Sequence, residues 1–103
     1  MFIVSLTYVC ELSEIDKYID AHIEYLNVQY EKGNFLASGR KVPRTGGVIL
    51  VQVETRAELD EILKEDPFYT AEVATYDVTE FIPTMTAKGF ESLKSEIVHD
   101  TNC

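Results

Sequence analysis

Proton transfer near neutral pH needs one group that changes charge there and a second that holds it in place, and this chain offers a candidate for each. His22 lies in the amphipathic stretch Ala21-His22-Ile23-Glu24-Tyr25-Leu26, and imidazole is the side chain whose charge changes most readily near neutrality. Asp66 lies in Glu65-Asp66-Pro67-Phe68, where proline cannot continue a helix and restricts the residue before it. Asp66 is therefore expected at a fixed helix exit, with its carboxylate left to accept a proton or a hydrogen bond. If the fold brings the two together, the carboxylate fixes the imidazole tautomer and stabilises its protonated form, which makes an acid-base dyad. The residues alone leave a second reading open for each. His22 can equally be a partly buried, hydrogen-bonded helix histidine, and Asp66 a corner residue binding nearby backbone N–H groups.

Groups that could bind a ligand cluster in one segment. Three of the nine cations, Arg40, Lys41 and Arg44, fall close together in an otherwise acidic chain. Arginine offers a planar fork of donors to a carboxylate or phenolate, so Arg40 and Arg44 are candidate substrate ligands. The competing role is charge on an exposed edge strand that prevents sheet-to-sheet aggregation, a role that suits Lys41 better than Arg40. Ser38 alternates with Leu36 and Arg40 and is expected to face the same cavity; with no base in view for a nucleophilic role, it is assigned to binding. Tyr8 and Phe68 are the aromatic residues chosen for the cavity wall, the other rings being read as core. His99 is read as solvated in a polar tail. Cys10 and Cys103 have no Cys-x-x-Cys spacing, so both are read as free thiols, and neither a metal nor a cofactor is expected.

The elements that must position these groups follow from hydrophobic period. Residues 2 to 9 alternate, with Phe2, Val4, Leu6 and Tyr8 on one face of a strand and Ile3, Ser5, Thr7 and Val9 on the other. From Ser13 to Lys32 the period becomes helical, with Ser13 as the cap, a stripe of Ile15, Tyr18, Ile19, His22, Ile23 and Leu26, and Gly33 as the stop. Phe35 to Val42 and Val48 to Val53 form a hairpin across a turn containing Pro43, Gly46 and Gly47. Thr55 caps a second helix with Ala57, Leu59, Ile62 and Leu63 inward, Asp66-Pro67 ends or bends it, and Ala74 to Ile82 is a last strand. A short helix around Phe90, Leu93 and Ile97 is expected beyond.

This order predicts an α+β fold, the ferredoxin-like βαββαβ plan with one antiparallel sheet and both helices on one face. The third strand is apolar on both faces, and Ile3 and Val9 add apolar area to the side that no helix covers. Burial by a second copy, through a face carrying Ile3, Val9, Ile49 and Val51 or their alternates, makes a homodimer the expected state.

Bulk properties narrow the function classes. A chain of 103 residues with 46% hydrophobic composition is read as one domain. A net charge of −9 repels phosphate backbones and anionic membrane surfaces, so no nucleic acid and no membrane are expected as partners. The N-terminal run lacks a basic leader and is too short to span a bilayer, which makes the cytoplasm the expected location.

The strand-helix opening with Ala21-His22-Ile23-Glu24-Tyr25-Leu26, then Ala37-Ser38-Gly39, and above all Glu65-Asp66-Pro67-Phe68, resembles the YciI-like proteins of the dimeric α+β barrel superfamily. The resemblance covers residues 1 to 84 and leaves 85 to 103 as a C-terminal extension, read as a short helix packing on the dimer. It implies a ferredoxin-like subunit, a homodimer packed sheet to sheet, and an active site in which the family's histidine and aspartate correspond to His22 and Asp66. One branch resembles dehydrochlorinases of substituted hydroquinones, and the superfamily includes muconolactone isomerases and cofactor-free monooxygenases. The chain departs from the pattern at Glu72, where glycine is usual, at Ile19, where an arginine often stands, and at Gly39-Arg40, where Gly-Pro is usual.

Two functions are carried forward. The first is a cofactor-independent enzyme, an isomerase, dehydratase or dehydrohalogenase, whose His-Asp dyad acts on a small anionic or aromatic metabolite. The second is a non-catalytic dimeric module that binds a metabolite or serves as an accessory subunit. An enzyme needs His22 and Asp66 within hydrogen-bond reach at the wall of an open pocket, whereas a binding module tolerates either being sealed in the core.

Overall fold

A computed structural model describes residues 1–94; Ile97, His99 and Cys103 lie outside the described residues. β1 (Phe2–Tyr8) alternates as its sequence demands, with Phe2, Val4 and Leu6 buried and Ile3 and Thr7 exposed. Its two neighbours are β3 (Gly46–Val51) and β4 (Ala74–Glu80), and β2 (Phe35–Arg40) lies beyond β3. The order β2-β3-β1-β4, antiparallel at each junction, is the expected ferredoxin-like α+β arrangement.

The first helical stretch is two helices, not one. α1 (Leu12–Asp16) closes at Lys17, and α2 (Ile19–Glu31) restarts from Tyr18, whose φ of −111° and ψ of −1° depart from regular helix values. Ser13 caps neither, because the N-cap of α1 is Glu11, two residues earlier. The break resets the helical phase: Ile15 is buried on α1, whereas on α2 the inward face runs His22, Tyr25, Gln29, and Ile23 is 46% exposed. Buried Gln29 is satisfied by Asn34, whose side-chain amide donates to its Oε1 at 2.8 Å.

On β2 a bulge lies between Phe35 and Ala37. Phe35 pairs with Val51, yet Ser38 pairs with Ile49 and Arg40 with Gly47, so the extra residue brings Phe35, Ser38 and Arg40 to the same face. That is the helix-covered face, because Ile49 and Val51 are both buried in the core. The expectation that Ile49 and Val51 lie on the uncovered face is therefore corrected: their alternates Val48 and Leu50, with Ile3, are the apolar residues there. Gly46 is where β3 comes closest to β1, since a Cβ would lie 1.8 Å from the Leu6 carbonyl oxygen.

α3 (Arg56–Lys64) is capped by Thr55, whose hydroxyl accepts from the Glu58 N–H at 3.1 Å. Leu59 and Leu63 are buried; Ala57, expected inward, is exposed because two residues turn the helix by about 200°. The one-turn α4 (Pro67–Thr70) follows directly and leads into β4. After β4 the described residues are irregular apart from a 3₁₀ turn at Glu91–Leu93, within the stretch where a short helix is expected. Among the described residues, no helix is long and apolar enough to cross a membrane.

Candidate active site

Asp66 is placed by the one-turn helix α4. It is the N-cap of α4, its Oδ1 accepting from the Phe68 N–H at 3.0 Å, while Pro67 takes the first helical position, where a missing N–H is no loss. The other end closes in a Schellman motif: the Val73 N–H donates to the Phe68 carbonyl at 3.2 Å and the Glu72 N–H to that of Tyr69 at 3.1 Å. Glu72 sits at the position after the C-cap with φ of 57°, the left-handed conformation that glycine adopts most readily. The family's usual glycine there thus has a backbone reason, and this chain meets it with a side chain. Fixed at both ends, α4 holds Asp66 and Phe68 in constant relation.

His22 reaches this corner from α2. Its Nδ1 lies 2.7 Å from Asp66 Oδ1, and a carboxylate partner assigns the proton to Nδ1 and leaves the lone pair of the neutral ring on Nε2. Phe68 stacks flat on the imidazole, with centroids 4.0 Å apart and planes 6° from parallel. Tyr25 lies on a more distant stack at 6.3 Å. Every fully buried side-chain nitrogen and oxygen among the described residues has a partner, and Nε2, which makes no hydrogen bond, accordingly reaches solvent.

Asp66 itself is 0% exposed. A buried carboxylate without donors would cost several kcal/mol, of order 3 to 5 when a partner is missing; here it takes three. Besides His22 and the Phe68 N–H, the Tyr76 hydroxyl donates to Oδ2 at 2.6 Å. Burial, reinforced by the Asp66 charge, pushes the Tyr76 phenol well above the ordinary tyrosine range, so it stays a donor. Burial does the same to Tyr25, whose hydroxyl donates to the Ile62 carbonyl at 2.7 Å.

His22 forms part of the wall of a cavity of about 160 Å³ between α2 and the sheet. Leu6, Ile19, Ile23 and Leu26 make it largely apolar, which accounts for the exposure of Ile23. Of the residues singled out from sequence, His22, Tyr8, Ser38, Arg40 and Phe68 all line it. Asp66 stands behind His22. Ser38 Oγ shares a 2.5 Å hydrogen bond with the Tyr30 hydroxyl, and Arg40 makes no ion pair among the described residues. Arg44 is elsewhere: its guanidinium donates to Asp16 Oδ1 at 2.7 Å beside the Tyr8 phenol, tying the hairpin turn to α1. Among the described residues no three His, Cys, Asp or Glu side chains gather as a metal set. Tyr76 is the polar group that sequence reasoning left among the core aromatics. Its signal was the inward alternation of Ala74, Tyr76 and Val78, since a buried phenol needs an acceptor.

An antiparallel ferredoxin-like sheet under a helical layer, with a histidine and an aspartate joined at the edge of a small cavity, defines a class of small α+β proteins with one compact site. Within it, the chain belongs to the family of the YCII-related domain, whose model matches residues 1–82. Among solved structures it is similar to the 5-chloro-2-hydroxyhydroquinone dehydrochlorinase TftG from Burkholderia phenoliruptrix AC1100, in complex with 2,5-dihydroxybenzoquinone. The two share 18% identity with a TM-score of 0.67, over 81% of this chain and 95% of that one, a likeness of fold. No curated protein matches the chain.

Proposed function

We propose that the protein is a cofactor-independent enzyme that moves a proton on a small anionic or aromatic metabolite, as an isomerase, dehydratase or dehydrohalogenase does. His22 is the acid-base group and Asp66 its orienting partner. The observation that carries this reading is the 2.7 Å Nδ1–Oδ1 contact at the wall of an open cavity, with Nε2 not fully sealed from solvent. In the forward step Nε2 takes a proton from an acidified C–H or O–H, giving an imidazolium beside the Asp66 carboxylate. The electron pair left on the substrate then either accepts the proton back at another atom or forms a double bond as it expels halide, or hydroxide that takes the imidazolium proton and leaves as water. General acid-base help of this kind is worth about 10²- to 10⁴-fold, which suits a substrate whose proton is already acidic.

Size and charge narrow the substrate. A dry cavity of about 150 Å³ takes benzene, so a cavity of about 160 Å³ fits a single ring. Arg40 and Ser38 are the groups to receive an anionic or hydroxyl substituent, and Tyr8 and Phe68 are the flat walls. Arg44 does not line the cavity, and its ion pair with Asp16 would have to yield before it reached a ligand. The dehydrochlorinase of similar fold was solved with 2,5-dihydroxybenzoquinone, a single ring carrying ionisable oxygens, which supports the same choice. The working unit in this reading is a homodimer formed through the uncovered sheet face. The test is a metabolite screen for turnover with wild-type and His22→Ala protein. A compound converted by the wild type and not by the variant supports the reading, whereas compounds bound equally by both and never converted favour a metabolite-binding module.

A further inference from the structure

Tyr76 reaches the site from behind. It does not line the His22 cavity; with Arg56, Leu63, Lys64 and Tyr69 it borders a separate groove. It therefore touches no ligand held against His22, and any influence it has runs through Asp66. Its backbone is fixed by pairing with Leu6 of β1, and its ring packs edge-on to Tyr69 at 5.5 Å. The hydroxyl lies 2.6 Å from Oδ2, a short charge-assisted bond, while His22 Nδ1 lies 2.7 Å from Oδ1. Both groups donate to the same carboxylate, so no proton can pass from one to the other along the chain without a donor first turning round. The three side chains are not a relay; they are two donors competing for one negative charge.

We propose that Tyr76 is a positioning residue for His22: its hydroxyl holds the Asp66 carboxylate facing the imidazole and sets how strongly Asp66 draws on the Nδ1 proton. The proposal rests on His22 being the acid-base group. The charge that Tyr76 takes up at Oδ2 is withdrawn from Oδ1, so a stronger phenol donor leaves the imidazolium less stabilised and a weaker one leaves it more so. The other titratable groups near the imidazole are Tyr25 on its own helix and Tyr8 and Arg40 across the cavity, and none of these contacts Oδ2.

The test is an NMR titration of the His22 ring nitrogens, assigned by their loss in His22→Ala, in three folded proteins: wild type, Tyr76→Phe, and protein with 3-fluorotyrosine placed at position 76. Removing the donor should raise the His22 midpoint by about 0.5 to 1 pH unit, roughly 3- to 10-fold in its protonation constant. Fluorotyrosine, a more acidic phenol in the same shape, should lower it. Opposite shifts are the expected signature, because a merely structural role moves both variants the same way or neither. An unmoved midpoint in the fluorotyrosine protein, or shifts of the same sign, overturns the proposal, and the fluorotyrosine arm decides alone if Tyr76→Phe does not fold. The titration needs no substrate. Opposite shifts in a protein whose His22→Ala variant keeps every activity found would leave Tyr76 as the positioning residue of a histidine that does not catalyse.

Discussion

With Nδ1 tied to Asp66, only Nε2 of His22 can exchange a proton with a ligand, and substitutions at the two residues should separate chemistry from folding. His22→Ala should lower turnover by about 10²- to 10⁴-fold. Asp66→Asn keeps the shape: its carbonyl oxygen can still accept from His22 and the Phe68 N–H, and the Tyr76 hydroxyl can turn to accept from the amide. The loss of the charge should then cost about 1 to 3 kcal/mol in urea unfolding and a larger share of turnover, a split that steady-state kinetics and denaturation measure together. Tyr25 and Tyr76 make a prediction at high pH. Their folded phenols titrate above the unfolded value near 10. The stability they give is therefore complete below about pH 10 and is lost as pH rises toward the folded values, at up to about 1.4 kcal/mol per pH unit for each. Urea midpoints followed into the alkaline range should fall, and Tyr76→Phe should fall less steeply.

At the scale of elements, α4 is one turn that caps, stops and orients, and its weakest point is Glu72. Left-handed backbone costs a side chain about 1 to 2 kcal/mol, partly offset by the greater unfolded-state freedom of glycine. Glu72→Gly should accordingly raise stability by about 0.5 to 1 kcal/mol without moving Asp66, measurable as a higher urea midpoint with unchanged activity. How much of the site was legible in sequence depended on which interactions were local. The Asp66-Pro67 corner, the Thr55 cap and the alternation of β1 are written in adjacent residues, and they stand as read. The break at Lys17–Tyr18 was not legible, because apolar residues continue through it and only the phase changes. Nor was the Tyr76 contact, since it depends on β4 pairing with β1 while α4 returns beneath them. Arg44 reads as a ligand because it clusters with Arg40 and Lys41, whereas the fold pairs it with Asp16 of α1, a contact between distant segments.

The molecule as a whole, over its described residues, has one sheet face under helices and one without. Ile3 and Val48 on the latter are 38% and 39% exposed, and burial of such a face at about 25 cal/mol per Å² favours pairing of two copies. Val48→Asp should weaken self-association measured by sedimentation by at least tenfold, since the charge would be desolvated without a partner. Val51→Asp, in contrast, should unfold the subunit, because Val51 is fully buried in the core. Each copy carries −9, so pairing brings like charges together. Salt screens repulsion over about 10 Å at 0.1 M, and the dimer should tighten as salt is added.

The bulge at Leu36 has an evolutionary side. Strand residues change faces with every unit of length, so Phe35 and Ser38, three apart, share a face only because Leu36 is bulged out; a lineage that lost this residue would have a regular strand with Phe35, Ser38 and Arg40 still on the cavity side, whereas one that straightened the bulge at full length would turn Ser38 and Arg40 away. A single-residue indel at the bulge is thus a change that relatives can absorb with the polar wall of the cavity kept in place. Aligning relatives with a gap allowed at Leu36 would then bring the cavity-facing residues of this strand into register.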